Sequence, residues 1–403
     1  MPSRRTLLAG LGTAGVTALA GCLGSETPSY EPGTETDTDW PMPRYDVEHT
    51  GYSPNALGPR ESVRERWSVS EWVASGTPAI VDGTVYFPTA ESLLALDAET
   101  GERVWEYAPE SQPWPSSPSV HDGLVYVSAV DEGTVAALDA ETGEEVWRDT
   151  NTTGVAAPPY LWVGEHVGTP SVVVGGEDGV LAFLDPTTGE TVWETDLFGA
   201  ITTIAYHRTQ HYVGTRGGDV YAFTSWGDVS AEHPPTEEWR RRVGGMVEGL
   251  LPHDNGVLVS TFGGPLTNLR VGANAGTTDW TMGKGGARTI PTNAGGTVVA
   301  GGYDELTAFR ASDERTHWTA DGDYGGVPPV AAGDTVYASA GDTVRAFALD
   351  SEGGLLGGGA AERWSFETHE GSDVGLAVAD GALFVSCQDT QGDGTTLFCL
   401  ESA

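Results

Sequence analysis

The sequence predicts an all-β fold made of eight repeated units, and three observations lead to this prediction. Eight of the 13 tryptophans recur at intervals of roughly 40 residues, the length of four short strands and their turns. A motif with a tight turn precedes three of them, and no segment shows the 3.6-residue periodicity of an amphipathic helix. The recurring tryptophans are Trp67, Trp105, Trp147, Trp193, Trp239, Trp280, Trp318 and Trp364.

The motif before the tryptophans is a strand, a tight turn and a second strand. Its three copies share the pattern Asp-x-x-Thr-Gly, and the tryptophan follows four residues after the glycine. The Asp side chain can accept hydrogen bonds from backbone N–H groups of the turn, and the Gly can adopt a positive φ without the penalty of a Cβ atom. The residues concerned are Asp97, Gly101, Asp139, Gly143, Asp185 and Gly189.

Two further strands precede each motif and bring each unit to four strands. Residues 77–81 and 84–87 flank Asp82-Gly83, which is a strong signal for a two-residue hairpin turn. A second clear copy spans 117–127, and weaker copies follow in the other units. Eight four-stranded units of this length predict a single eight-bladed β-propeller, whose sheets are arranged radially around an axis.

The two ends of the repeat region predict how the ring closes. The last unit contains strands near 374–379, 382–386 and 396–400 but no fourth strand. An isolated strand at 66–69, which contains Trp67, stands before the first complete unit. We therefore expect this N-terminal strand to complete the last blade.

The first residues of the chain are expected to be an export signal and a tether. Ser3-Arg4-Arg5-Thr6-Leu7-Leu8 is similar to a twin-arginine signal, and Leu19-Ala20-Gly21-Cys22 is similar to a lipobox, whose cysteine carries lipid in the mature protein. We expect residues 1–22 to be this signal, 23–39 a disordered acidic tether and 40–403 the propeller. The lipid on Cys22 would anchor the exported protein to the outer face of the cell membrane.

The composition is strongly acidic. Acidic residues outnumber basic ones 58 to 20, and the formal net charge is -38. Such a surface stays hydrated in concentrated salt, where screening shortens the repulsion between carboxylates, so we expect a halophilic, archaeon-like source. Nucleic acid is excluded as a partner because too few cations are present to neutralise phosphates.

The pattern Ala-x-Asp-x-x-Thr-Gly-x-x-x-Trp resembles the tryptophan-docking repeat of quinoprotein dehydrogenases and of their non-catalytic relatives, the BamB-like lipoproteins. The resemblance extends from about residue 39 to the end of the chain, and residues 40–46 (Trp-Pro-Met-Pro-Arg-Tyr-Asp) resemble the opening segment of such chains. It implies that each of the eight tryptophans packs between neighbouring blades. Thr278-Asp279-Trp280 departs from the pattern because the upstream Asp-x-x-Thr-Gly is missing.

The same resemblance implies what a catalytic member would need. In such enzymes pyrroloquinoline quinone lies between a tryptophan and a disulfide of two adjacent cysteines, beside a Ca²⁺ held by Glu, Asn and Asp and a catalytic Asp. The cysteines of this chain, Cys22, Cys387 and Cys399, include no adjacent pair. We therefore predict no catalytic, cofactor-binding or metal-binding residues and no enzymatic activity.

The function predicted on this basis is a non-enzymatic binding or scaffolding lipoprotein. We expect a monomeric propeller that contacts a protein or surface ligand through its faces. Two alternatives stay open: an oxidoreductase of the quinoprotein dehydrogenase type that depends on the quinone or a metal, and a surface module that binds carbohydrate or peptide.

Two surface residues are further candidates for contact or modification. Trp114 lies outside the tryptophan period, between Pro113 and Pro115. It either contacts a partner near the mouth of the central channel or packs against its own blade. Asn151 begins the one glycosylation sequon, Asn151-Thr152-Thr153, in a loop between blades.

Histidine and cysteine pairs complete the candidates. His207 and His211 have the spacing of a helical metal pair, but they fall on either side of a predicted turn, which argues against a shared metal. Strand register separates Cys387 from Cys399 by about 13 Å, which is more than a disulfide spans. We therefore favour two buried free thiols, with a disulfide as the alternative. The acidic loop 389–394 is either a Ca²⁺ site or a plain turn.

Overall fold

The computed structural model describes the chain from Asp39 onward. The described residues are 39–71, 76–108, 116–129, 134–149, 155–163, 170–225, 229–282, 289–312, 315–351, 358–368, 372–388 and 394–403. Within them 34 β-strands form eight sheets, and these residues contain no helix. Each sheet is one blade of a propeller, and its first strand lies nearest the central axis. The all-β, eight-bladed prediction is therefore confirmed.

The strands follow in chain order. Two precede the first blade: β1 (Tyr52–Ser53) and β2 (Arg64–Glu71). Blades 1 and 2 contain β3 (Ala79–Val81), β4 (Thr84–Pro88), β5 (Leu93–Asp97), β6 (Arg103–Tyr107), and β7 (Ser119–His121), β8 (Leu124–Ala129), β9 (Thr134–Asp139), β10 (Glu145–Asp149). Blades 3 and 4 contain β11 (Val155–Trp162), β12 (Ser171–Gly176), β13 (Val180–Leu184), β14 (Thr191–Asp196), and β15 (Ile201–His207), β16 (Gln210–Thr215), β17 (Asp219–Thr224), β18 (Thr236–Arg242).

The second half of the ring repeats the arrangement. Blades 5 and 6 contain β19 (Val247–His253), β20 (Gly256–Thr261), β21 (Leu266–Arg270), β22 (Thr278–Met282), and β23 (Thr292–Ala294), β24 (Thr297–Gly301), β25 (Glu305–Arg310), β26 (Thr316–Asp321). Blade 7 contains β27 (Val330–Ala332), β28 (Thr335–Ala340) and β29 (Thr343–Ala348); β30 (Gly358–Gly359) then joins blade 6, and β31 (Glu362–Glu367) completes blade 7. Blade 8 contains β32 (Ser372–Ala379), β33 (Ala382–Gln388) and β34 (Thr395–Glu401).

The ring closes as predicted. β2 pairs antiparallel with β34, with Trp67 opposite Cys399, and so supplies the outer strand of blade 8. β1 pairs parallel with β27 of blade 7. Cys387 and Cys399 are both buried and are not joined by a disulfide, in agreement with the register argument.

Burial explains why the middle strands are apolar throughout. Every residue of β12 and β20 is buried, because each blade packs against a neighbour on both faces. The first hairpin of blade 1 turns at Asp82 and Gly83, whose φ angles are 48° and 73°. Two positive φ angles in succession are typical of the type I′ turn that Asp-Gly favours.

A one-residue β-bulge precedes the recurring tryptophan in every blade. In blade 1, Trp105 lies opposite Ala95 and Arg103 opposite Leu96, so that Val104 is the extra residue. The same shift occurs before the other seven tryptophans. A bulge bends the strand locally and re-aims the side chain next to it, which turns the indole toward the next blade.

Candidate functional site

The tight turns before the tryptophans are closed by an aspartate. Asp97 Oδ1 accepts hydrogen bonds from the backbone N–H of Thr100 at 2.8 Å, from its hydroxyl at 2.9 Å and from the N–H of Glu99 at 3.1 Å. Asp139 makes the same set of bonds in blade 2. The hydrogen bonds from Thr100 lower the pKa of Asp97 below its ordinary value.

Each closed turn receives the tryptophan of the preceding blade. The indole N–H of Trp67 donates to the carbonyl of Ala98 at 3.0 Å, and its ring lies against Gly101. Trp105 makes the same contacts with Ala140 and Gly143. Trp147 makes them with Pro186 and Gly189 in blade 3. The aspartate and the glycine therefore shape a socket for an indole from outside the blade.

The later blades keep the tryptophan but vary the socket. Trp318 is fully buried and donates to Leu349 at 2.9 Å. Trp239 lies against Gly276, but its indole N–H has no acceptor among the described residues. The rings of Trp193 and Trp280 pack against Phe183 and Phe309, respectively.

Trp364 in blade 7 uses a socket from the other end of the sequence. Its indole N–H donates to the carbonyl of Pro59 at 2.8 Å. In blades 1 to 3 the acceptor carbonyl lies in the turn between the third and fourth strands. Blade 8 takes its outer strand from β2, so it has no such turn. The residues just before β2 supply the carbonyl instead. Tyr337 donates to the same carbonyl at 3.2 Å.

Residues 39–59, here called the channel segment, follow the inner strands of the blades in order. The segment contacts blade 1 through Trp40 and Ile80 and blade 2 through Pro41 and Val120, and Met42 belongs to the hydrophobic cluster that includes Tyr160 of blade 3. It then contacts blade 4 through Val47 and Tyr206, blade 5 through His49 and Leu250, and blade 6 through Thr50 and Asn293. Its last contacts join Gly51 to Ala331 of blade 7 and Gly58 to Val378 of blade 8. These contacts lie toward the hairpin between the first and second strands. The channel segment therefore occupies that end of the central channel.

Arg44 anchors the channel segment between blades 6 and 7. Its guanidinium is buried and donates to the carbonyls of Pro329 at 2.7 Å and Pro291 at 2.8 Å and to the Thr292 hydroxyl at 3.0 Å. Burial lowers the pKa of Arg44 to about 9. Since Arg44 also has a φ of 68°, the surrounding contacts must hold a backbone conformation that is unfavourable for an arginine.

Two other titratable groups of the channel segment are shifted by burial. Burial raises the pKa of Asp46 to about 6, although Thr50 donates to the carboxylate through both its N–H and its hydroxyl. Burial lowers the pKa of His49 to about 4, and His49 Nδ1 lies 3.2 Å from the carbonyl of Leu250. Both shifts have the same physical cause, the burial of the channel segment against the inner strands.

His207 and His211 do not share a site. His211 is buried between the Tyr160 hydroxyl and the Ser225 hydroxyl, each 3.0 Å from one of its ring nitrogens, and burial lowers its pKa to about 3. His207 instead faces the carboxylates of Glu48 and Asp254, at 3.0 Å and 3.4 Å. Among the described residues no three His, Cys, Asp or Glu side chains cluster closely enough to hold a metal ion.

The opposite end of the propeller carries exposed aromatic side chains. Phe198, in the connection from blade 3 to blade 4, is 72% exposed, and Phe262 and Tyr303, in the turns between second and third strands of blades 5 and 6, are 56% and 46% exposed. The loops around them are tightly interlocked: the Phe262 N–H donates to Met246 at 2.9 Å, and a Cβ on Gly218 would lie 2.5 Å from the carbonyl oxygen of Gly245. This end is therefore a rigid surface with apolar groups.

Several predicted sites lie outside the described residues. Cys22 and the rest of the signal do, as do Trp114, Asn151 and most of the acidic loop 389–394. In the part of the chain that is described, no helix is long and apolar enough to cross a membrane. Phe198, Phe262 and Tyr303 had no signal in the sequence, because single aromatic residues in turns follow no period.

The fold and the tryptophan sockets define a β-propeller of the quinoprotein-like class. A family model described as "Outer membrane protein assembly factor BamB" matches residues 59–271 and 267–398. These matches cover most of the chain, which therefore belongs to this family.

Solved structures share the fold at low sequence identity. BamB from Moraxella catarrhalis is 16% identical, with a TM-score of 0.62 over 84% of this chain and 99% of that chain. Quinohemoprotein alcohol dehydrogenase from Comamonas testosteroni is 15% identical, with a TM-score of 0.70 over 91% of this chain and 81% of that chain. Members of both functional types thus share this architecture.

A curated relative contradicts the expectation that the chain is not an enzyme. A 1-butanol dehydrogenase (cytochrome c) of Thauera butanivorans is 33% identical over 132 residues, which cover 28% of this chain and 18% of the relative. This match leans toward an enzyme family, and the chain spans only 18% of the relative's length. The expectation was wrong because it took the missing cysteine pair as decisive, whereas the repeat itself is common to enzymes and scaffolds.

The described residues do not reproduce the quinone site that the resemblance implies. The two described cysteines lie in different strands of blade 8, opposite Thr396 and Phe384, so neither can form a vicinal disulfide. Cys399 is buried, and burial raises the pKa of its thiol to about 12, which makes it unreactive at neutral pH. No step of a quinone reaction can be derived from these residues.

Proposed function

We propose that the protein is an exported, lipid-anchored propeller that binds a protein or surface ligand on the face of the propeller opposite the end that the channel segment occupies. One observation carries this proposal: the two ends differ. The first is filled by residues 39–59, whereas the second displays Phe198, Phe262 and Tyr303 on interlocked loops. Exposed aromatic groups on a rigid support are typical of binding surfaces, because little side-chain entropy is lost on contact.

Site-specific photocrosslinking tests this binding end. A photoreactive phenylalanine analogue is placed at Phe262 and, as a matched control, at Val104, which has a similar exposure of 58% on an outer strand. In native membranes at high salt, we expect a defined adduct from position 262 only, and its loss when Phe198→Ser is added. No adduct at 262, or the same adducts at both positions, would contradict the proposal.

The anchor is supported by the lipobox-like residues 19–22 and is tested separately. Cys22→Ser should move the protein from the membrane fraction to the soluble fraction, because one lipid-bearing cysteine is the proposed anchor. Arg4→Lys with Arg5→Lys should leave the protein inside the cell. Cys22→Ser protein that stays in the membrane fraction would argue against lipidation. The high-salt setting is supported by the charge of -38.

A quinoprotein oxidoreductase is the second candidate, and the match to the butanol dehydrogenase favours it. The test is incubation of the purified protein with pyrroloquinoline quinone and Ca²⁺, followed by absorption spectroscopy and dye-linked oxidation of primary alcohols. A bound chromophore with dye reduction would establish this candidate. Absence of both, with a crosslink at Phe262, would leave the binding function.

A further inference from the structure

The outer strand of blade 4 has an unusual order of charges. In β18 two acidic residues, Glu237 and Glu238, precede Trp239, and three arginines, 240–242, follow it. The whole chain has 20 basic residues against 58 acidic ones, so three consecutive arginines are a marked local concentration of positive charge. All residues of β18 except Trp239 are exposed.

Among the described residues, salt bridges engage Arg240 but not Arg241 or Arg242. Arg240 donates from Nε and an Nη atom to the two carboxylate oxygens of Asp219, both at 3.1 Å. Its guanidinium lies 4.7 Å from the ring centroid of Phe198. Arg241 and Arg242 form no salt bridge with any described residue, and neither do Glu237 and Glu238.

The backbone edge of β18 is available for pairing. β18 is the last strand in the order of its sheet, and no described strand pairs with its outer edge. Blade 6 shows that such an edge can take another strand, since β30 pairs with the outer edge of β26 through Trp318 and Gly358. Charged side chains and a bulge ordinarily protect an edge strand from pairing with another strand. The order of the charges in β18 therefore determines which strand could pair with it.

The side chains of β18 alternate between its two neighbours. Arg240 points toward blade 3, where it contacts Phe198, and Glu237 and Arg242 share that face by their register with β17. Trp239 points toward blade 5, where it lies against Gly276, and Arg241 shares this second face. Glu238 is the bulged residue next to Trp239.

We propose that β18 pairs antiparallel with β18 of a second copy, about a two-fold axis at Arg240. In this register Glu237 lies opposite Arg242 of the second copy. Because Glu238 is bulged, Glu238 and Trp239 together lie opposite Arg241 of the second copy. Glu237 and Arg242 share one face of the paired sheet, and Trp239 and Arg241 share the other. Symmetry repeats both contacts, which gives four ion pairs and two cation–π contacts. The two Arg240 side chains face each other, but each is neutralised by its own Asp219.

Other outer strands lack this self-complementarity. A two-fold axis at the residue after the tryptophan would place Arg103 opposite Ala108 of a second copy in blade 1. In blade 3 it would place Thr191 opposite Asp196. Opposite charges at directly opposed positions stabilise a strand pair, and like charges destabilise it. Of these outer strands, β18 is therefore the one whose charges suit pairing with a second copy of itself.

Salt has two effects on this pair. Two propellers of charge -38 repel each other at long range, but the Debye length falls to roughly 3 Å at 1 M salt, which removes most of that repulsion. Ion pairs in direct contact are screened less, although each contributes only about 0–1 kcal/mol when exposed. We therefore expect a reversible dimer that is favoured in molar salt and dissociates at low salt, instead of the monomer expected from the sequence.

Charge reversal with complementation tests the pairing. The full chain carries Cys22→Ser so that lipid does not drive association, and its mass is measured by analytical ultracentrifugation in molar potassium chloride. Glu237→Arg with Glu238→Arg, or Arg241→Glu with Arg242→Glu, should weaken the dimer at least tenfold, and an equal mixture of the two variants should restore dimers. Arg103→Glu with Glu106→Arg on β6 is the control and should leave the dimer intact.

A disulfide provides a second measurement that does not depend on charge. Arg240→Cys places two cysteines directly opposite each other across the axis, within the distance that a disulfide requires. Mild oxidation should give a covalent dimer from this variant and none from Val104→Cys, and the natural Cys387 and Cys399 are buried. A monomeric parent protein with no crosslink would overturn the proposal. A monomer that binds poly-glutamate through Arg241 and Arg242 would assign the edge to an acidic partner instead.

Discussion

Gly143 lies directly against the indole ring of Trp105, so closely that a Cβ atom on this glycine would come within 2.7 Å of the ring. Its φ of 72° is also in the left-handed region that other residues avoid. Two separate physical reasons therefore require glycine at this position. The contact joins blade 1 to blade 2 and shows how a turn in one blade depends on a side chain from another.

A comparison of Gly143→Ala with Gly123→Ala separates the effect of the positive φ from the effect of the contact with the indole ring. Gly123 has a similar φ of 78°, but a Cβ there would meet no atom within 4 Å. Backbone strain should cost both variants about 1–2 kcal/mol of unfolding free energy, and overpacking should cost Gly143→Ala about 1–3 kcal/mol more. Urea denaturation in high salt measures the difference. Equal losses in the two variants would show that the ring contact contributes nothing.

The bond from Trp364 to Pro59 can be tested against an indole without an acceptor. Trp364→Phe removes a hydrogen bond and leaves the Pro59 carbonyl with only the longer bond from Tyr337. Trp239→Phe removes a ring of the same size whose N–H is unpaired among the described residues. We expect Trp364→Phe to lose about 1 kcal/mol more in unfolding free energy. A larger loss for Trp239→Phe would refute a role of the bond in closing the ring.

Arg44 should stabilise the join between blades 6 and 7. Arg44→Met keeps the apolar stem but removes the donor to the Pro291 carbonyl, whereas the Pro329 carbonyl still accepts from the Thr292 hydroxyl. An unpaired buried carbonyl costs about 1–3 kcal/mol. Arg60→Met is the control, because Arg60 pairs with Asp334 at 2.7 Å while its side chain is 43% exposed; it should cost about 1 kcal/mol or less. Differential scanning calorimetry should show the larger decrease in Tm for Arg44→Met. The reverse order would contradict the anchoring role.

The ring of eight blades could be predicted from the sequence because the residues that define each blade recur at a regular spacing. The eight tryptophans, the Asp-x-x-Thr-Gly turns and the lone strand around Trp67 all recur at blade length or complete a missing element. By contrast, the bulge before each tryptophan is not visible, since the bulged residues Val104, Glu238 and His317 have no property in common. A bulge is a matter of register between two strands, which a single strand does not encode.

The path of the channel segment could not be predicted for a different reason. Its contacts join single residues to blades that are up to hundreds of positions away, as Arg44 to Pro329 illustrates. Arg44, Tyr45 and His49 all adopt positive φ angles, although none is a glycine or asparagine that would signal such a turn. Tertiary contacts impose this conformation, so no local pattern announces it.

Burial of His49 in the channel segment should make the free energy of unfolding depend on pH. Its pKa is about 4 in the folded protein and about 6.5 in the unfolded chain, so the unfolded state binds more protons between these values. The stability that neutral His49 contributes is complete above pH 6.5 and is lost as the pH falls toward 4, by about 3 kcal/mol at most. His49→Gln should therefore lose less stability than the parent between pH 6.5 and 4.5 in urea denaturation.

Asp46 should change the free energy of unfolding with pH in the opposite direction to His49, so variants of the two residues can be told apart. Its folded pKa of about 6 lies above the ordinary value of 3.8, so the folded state binds more protons between these values. Its ionisation costs stability as the pH rises toward 6, and Asp46→Asn should therefore steepen the loss of stability on acidification. His233→Gln, at an exposed position, is the control. If His49→Gln and His233→Gln gave the same slope against pH, burial of His49 against Leu250 would not be the source of the acid sensitivity.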